Sequence, residues 1–399
     1  MKVLTILLAV VGLFAVVGFL AAAGFIAAPR PVSPPKQSSS PMTAPPAAIV
    51  VANQPLQSTQ SGLSTPASST RVSSQPVLIT VGGPPPQGFD IFQAQDFLTK
   101  NGANFFTYSE NWTDIEISPD QYNLVDTIIN PMTKLVPKYP FKGVLLIIKT
   151  IDSNALVMPA DLQIESFGDP VVKHRFLAML HTIARQPSSK KLTYILLGNE
   201  VDAYLTAHPT QLDGFMALLK AGIDQIHQEM PGVKVGTITT FASLDNPQLF
   251  QTLTEYSDFV DYTYYPLQQG WRMRSVAQVP ADLNRMAAAA GSKPFAFTEI
   301  GYSSSPVSNS SQQIQAQFVK AIFDGLDRYR QQNQILFISW MSFADPPPGV
   351  CRSYSGQQGI SASTEFCGFL YNLGLRTYSD NQAKQAWYIF VQEVGRWTM

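Results

Sequence analysis

The chain has 399 residues, of which 14% are charged, and a formal net charge of −1. That balance gives no electrostatic case for a nucleic-acid partner. The four histidines, His174, His181, His208 and His227, form no H-x-H pair on a strand-like run, so a metal centre of the kind used for hydrolysis is not expected.

In chain order, residues 3–28 are an uninterrupted apolar stretch behind the single positive charge of Lys2. The stretch is long enough to span a bilayer, and Ala21-Ala22-Ala23 also offers a small-residue cleavage site. It reads as a signal anchor or as a cleaved signal peptide. In either case the rest is exported, as a membrane-anchored extracytoplasmic domain or as a secreted protein. Residues 29–75 are rich in Pro, Ser, Thr, Ala and Gln, with almost no aromatics. Such a segment buries too little apolar surface to repay its ordering entropy and is expected to be a disordered linker.

Residues 76–399 are expected to form one α/β domain. Eight apolar runs follow one another: PVLITVGG, NFFTYSE, KGVLLIIKT, TYILLGNE, VKVGTITTFAS, DFVDYTYYP, PFAFTEIGY and QILFISWMSFAD. Most are followed by a helical pattern, such as LDGFMALLKAGIDQIHQEM closed by Pro231-Gly232. Alternation of this kind predicts parallel βαβ units, and eight units fit a TIM (β/α)8 barrel. A doubly wound sheet would need a phosphate-binding loop after its first strand. That place holds Gly82-Gly83-Pro84-Pro85-Pro86, and prolines lack the N–H donors the loop requires, so no cofactor is expected.

The fourth and seventh runs stop at Glu200 and Glu299. A carboxylate at the C-terminal end of a barrel strand sits where such folds place their chemistry, and a pair at one mouth is what glycoside hydrolysis requires. No G-x-S-x-G elbow is present for a serine nucleophile. Cys351 and Cys367 lie close together after the last strand and, in an exported chain, are expected to form a disulfide.

Asn199-Glu200 ending strand four and Glu299 ending strand seven resemble the clan of retaining glycoside hydrolases built on α/β barrels. DYTYYPLQQG and TEIGY look most like its endo-β-1,4-galactanase branch, with the β-glucanase branches near. The resemblance implies double displacement on a β-linked extracellular polysaccharide or oligosaccharide. Glu200 would be the acid/base, Glu299 the nucleophile, and Asn199 a donor to the sugar 2-hydroxyl. Tyr264 or Tyr265 would hydrogen-bond Glu299; the resemblance favours Tyr264, and the sequence leaves the choice open. Trp340 and Trp271 offer aromatic faces for sugar rings, or else plain core. Glu110, Trp112 and Asp114, after strand two, read as sugar-subsite residues or as surface loop. The clan often carries an arginine or histidine near the ends of strands two or three, and this chain has TYSENW and IIKTIDS there. Lys149 or Asp152 is the available substitute. That departure keeps a non-catalytic carbohydrate-binding or cell-envelope protein on the same scaffold as the alternative.

Overall fold

A computed structural model describes residues 76–163 and 166–398. The expected membrane or signal segment, residues 1–28, and the linker, residues 29–75, lie outside the described residues. Among the described residues no helix is long and apolar enough to cross a membrane.

Eight parallel strands carry the fold, each at one of the apolar runs. They are β1 (Leu78–Val81), β2 (Phe105–Asn111), β3 (Gly143–Asp152), β4 (Tyr194–Asn199), β5 (Lys234–Gly236, continued as Ile238–Thr240), β6 (Val260–Tyr264), β7 (Phe295–Ile300) and β8 (Ile335–Trp340). One sheet runs β2-β3-β4-β5 and a second runs β1-β8-β7-β6-β5. They meet in β5, whose first half pairs with β4 and whose second half pairs with β6. On the other side, Asn104 ties β1 to the start of β2. Its N–H donates to the Ile79 carbonyl at 3.0 Å, and its Oδ1 accepts from the Ile79 N–H at 2.8 Å.

The strands are apolar on both faces because both are covered. One face gathers Leu78, Phe105, Leu145, Leu196, Phe259 and Phe337 into an interior cluster. The alternate residues, such as Ile79, Val260, Tyr262 and Phe297, pack outward against helices. These helices are α1 (Ile91–Lys100), α2 (Pro170–Ala184), α3 (Val201–Ala207), α4 (Leu212–Glu229), α5 (Pro247–Thr254), α6 (Val279–Ala290), α7 (Gln312–Gln331), α8 (Val350–Gln358), α9 (Thr364–Leu370) and α10 (Gln385–Thr398). Their starts are set by caps: an Asp90–Gln93 capping box for α1, Asp169 before Pro170 for α2, and Ser311 for α7. After β2 the regular helix is replaced by a single turn at Trp112–Ile115, a short hairpin and loosely wound turns over Val125–Lys138. The expected disulfide is formed: Cys351 and Cys367, with Cα atoms 5.4 Å apart, join α8 to α9.

Candidate active site

Glu200 and Glu299 stand at the C-terminal ends of β4 and β7. Glu200 sits between the strand and α3 with a left-handed backbone, φ 47°, a conformation that non-glycine residues adopt only when their surroundings hold them there. Gly198, two residues earlier, has φ 87°, and a Cβ there would lie 2.5 Å from Val201 Cγ1. The sharp exit from β4 therefore depends on glycine. The turn directs the Glu200 carboxyl into the fold. The Ser153 hydroxyl donates to its Oε2 at 2.5 Å and the Thr263 hydroxyl donates to its Oε1 at 2.6 Å.

Thr263 also lies opposite Glu299 in the β6–β7 register. The register shifts by one residue at this point, so Thr298 and Glu299 both reach the same cleft. The Tyr265 hydroxyl donates to Glu299 Oε2 at 2.5 Å. Beside this pair, Lys149 Nζ donates to Asp152 Oδ2 at 2.8 Å and Asn199 Nδ2 donates to Asp152 Oδ1 at 2.9 Å, with all three side chains buried.

Burial is the main force on Glu200, Glu299, Glu110 and Asp261, because it disfavours the charged form. It raises Glu200 well above the ordinary carboxylate range, and the Glu299 charge pushes it further, against the two hydroxyl donors. Burial pushes Glu299 up to about 8, with the Tyr265 hydroxyl and Lys149 pulling it down and Asp152 pushing it up. Glu110, on the same cleft, is pushed up to about 8 by burial and the Asp114 charge, with Lys149 opposing. Asp261 is fully buried and raised well above its usual range, and its Oδ1 accepts from both the Thr298 N–H and hydroxyl. Both carboxyls of the catalytic pair are thus pushed toward the protonated form, Glu200 with the added push of the Glu299 charge.

The cleft encloses about 690 Å³ and is lined by Glu299, Asn199, Lys149, Thr298 and Glu110, among others. Glu200 is not on its wall and is only 2% exposed. The segment joined by the disulfide lies on that side. Gln358 of α8 accepts from the Asn154 N–H at 3.4 Å, next to Ser153, and the buried Tyr354 phenol adds to the field at Tyr265.

Four expected sugar-contacting residues are placed elsewhere. Tyr264 is fully buried on the outer face of β6, where its hydroxyl donates to Asp282 Oδ2 at 2.8 Å. The partner of Glu299 is Tyr265, which shares a face with Asp261 and Thr263. Trp340 is fully buried against Phe318 and Phe390 in the helix layer, because Ser339 takes the cleft-facing position of β8. Trp271 packs on Phe366 and Phe369 of α9, with ring centroids 4.7 and 5.6 Å away. Trp112 is core: its ring lies 5.3 Å from Phe176, and its Nε1 donates to Glu116, which also pairs with Arg175. Asp114 accepts from Asn111 at the exposed rim. Ser153 and Thr263, which hold Glu200, carry no motif. For Ser153 the one hint is local strain, φ 55° at a non-glycine residue.

Comparison with known proteins finds no matching family model and no matching curated protein. Solved structures do match in fold. An exo-β-1,4-mannosidase from Opitutaceae bacterium strain TAV5 aligns with TM-score 0.60 at 16% identity, over 81% of this chain and 60% of that one. GH5_18 from Streptomyces cattleya, in complex with GlcNAc, aligns with TM-score 0.60 at 16% identity, over 82% and 81% of the two chains. A family 39 glycoside hydrolase from Bacteroides cellulosilyticus WH2 gives 0.53 at 13%, over 82% and 64%. The chain thus spans under two thirds of the length of the mannosidase and of the family 39 protein. At these identities the likeness is one of fold alone.

Proposed function

We propose that this chain is a retaining glycoside hydrolase on a (β/α)8 barrel, cleaving β-linked sugars by double displacement. The observation that carries the reading is the pairing of Glu200 and Glu299. They are 99 positions apart in sequence (299 − 200), and folding brings them close enough for the charge of one to raise the other. Two carboxyls with unlike proton affinity are what the chemistry needs. Glu200, held by the Ser153 and Thr263 hydroxyls and pushed toward its protonated form by burial and the Glu299 charge, protonates the leaving oxygen and later deprotonates water. Glu299, which opens onto the cleft and is supported by Tyr265 and Lys149, attacks the anomeric carbon. Asn199, oriented by Asp152, meets the sugar 2-hydroxyl, and Lys149 or Asp152 substitutes for the arginine or histidine common in the clan. The fold shared with glycoside hydrolases supports the same reading.

DYTYYPLQQG and TEIGY favour β-1,4-galactan or β-glucan as substrate, while an exo-β-1,4-mannosidase shares the fold. The apolar stretch 3–28 favours an exported, membrane-tethered or secreted location. The test is a panel of β-galactans, β-glucans and β-mannosides, with product stereochemistry read by NMR, on wild type and Glu299→Gln. Wild type is expected to release the β-anomer first, and Glu299→Gln to lose turnover yet retain binding. A carbohydrate-binding protein is the second reading, favoured by the near-complete burial of Glu200. Binding without turnover by wild type selects it.

A further inference from the structure

The cleft does not stop at the carboxylates. From Glu299 and Asn199 it continues outward past β1 and β2 and enters the space under α1. The strand parity defines its course. Phe105 fills the interior cluster, whereas Phe106 and Tyr108 belong to the outer, helix-facing side, and both line the cleft. Ala94 and Leu98, on the sheet-facing side of α1, line it too, with Pro131 and Leu135 of the loosely wound segment opposite. A regular helix after β2 would cover this face. The hairpin and wide turns found there leave an apolar crevice.

The crevice walls suit a particular ligand chemistry. Pro84-Pro85-Pro86 at its entrance contribute no N–H donors. Along β2 the residues at alternate positions change from Phe106, deep and apolar, through the Tyr108 hydroxyl, to Glu110 at the mouth beside Lys149. The Tyr108 hydroxyl is buried and has no hydrogen-bond partner among the described residues. A buried phenol of this kind is a donor awaiting an acceptor. The side chains of Phe106, Ala94, Leu98, Pro131 and Leu135 offer a sugar hydroxyl no polar partner to replace its water. An aliphatic chain loses nothing there.

We infer that the crevice binds an acyl chain carried by the substrate, with the apolar tail between α1 and the Pro131–Leu135 turns and its ester carbonyl accepting from the Tyr108 hydroxyl. Glu299 is on the wall of this cleft and Glu200 is not. The chain therefore belongs to the sugar that Glu299 attacks rather than to the leaving group, an assignment that rests on the glycoside hydrolase reading. The substrate class is then an acylated β-glycoside.

The experiment is calorimetric titration with 6-O-acyl methyl β-glycosides from acetyl to octanoyl, and with 6-O-octyl ethers. Binding is expected to tighten by ~2–4-fold per added methylene. Ala94→Phe and Leu135→Trp fill the crevice from opposite walls and are each expected to flatten the series. If one fails to fold, the other decides. Tyr108→Phe is expected to weaken the octanoyl ester ~5–10-fold and leave the octyl ether unchanged, the loss of one hydrogen bond. Affinity independent of chain length in wild type, or a steep series that survives both filling variants, overturns the inference. Titration reads binding whether or not turnover occurs. A steep series without turnover on any glycoside sinks the catalytic reading alone, and turnover with a flat series sinks the crevice alone.

Discussion

Glu299→Gln should make the protein more stable at alkaline pH while abolishing its activity. The substitution keeps an oxygen to accept the Tyr265 hydroxyl and removes only the charge. In wild type the folded-state pKa of Glu299 is raised from 4.5 to about 8. Between those values the folded state holds a proton that the unfolded chain releases. Stability is therefore fully present below about pH 4.5 and is lost as pH rises through about 8. At about 1.4 kcal/mol per pKa unit the span sets a ceiling near ~5 kcal/mol. Glu299 opens onto the cleft, so solvent screening reduces the gain on substitution to ~1–3 kcal/mol. Urea unfolding of both proteins at pH 5 and pH 8.5 reads the difference directly. The variant should match wild type at pH 5 and exceed it at pH 8.5, with turnover down by ~10³ or more. A variant less stable than wild type at pH 8.5, or a gap that does not change with pH, refutes the reasoning.

The two neighbouring tyrosines should behave differently. Tyr265→Phe removes a donor that lowers the Glu299 pKa, so the acid limb of the kcat/KM profile should move to higher pH. Tyr264→Phe breaks the bond to Asp282 and should cost ~1–2 kcal/mol in urea unfolding, with the pH profile unmoved. Replacing Cys351 and Cys367 together by serine opens a loop of sequence separation 16 and should cost ~2–4 kcal/mol, read as a lower thermal midpoint. Faster proteolysis within α8 and α9 should accompany it.

The fold was legible because its signal is repeated. Eight apolar runs, each long enough for a buried strand and most followed by helix periodicity, match the eight parallel strands in order. The two glutamates were legible because each ends such a run. What was not legible depends on which face a side chain takes. The run from Val260 to Tyr265 alternates Val, Tyr, Tyr on one face with Asp, Thr, Tyr on the other. Reading the polar face as the inner one places Thr263 and Tyr265 at the site. Aromatic residues obscure that pattern, since tyrosine is at home on either face. Trp340, Trp112 and Trp271 illustrate the same limit: a tryptophan near a strand end is as useful for covering helices and loops as for stacking sugars. Ser153 and the crevice under α1 arise from contacts between distant segments and from the irregular turns after β2, which no local pattern encodes.

The pairing of Glu200 and Glu299 across one sugar is tested most directly by trapping the intermediate. Wild-type protein is incubated with the 2-deoxy-2-fluoro-β-glycosyl fluoride of the sugar it hydrolyses, and the digest is mapped by mass spectrometry. One glycosyl group on the peptide containing Glu299, absent in Glu299→Gln and persisting longer in Glu200→Gln, is the predicted result. A label on any other residue, or rapid turnover of a substrate with inversion and no label at all, contradicts it.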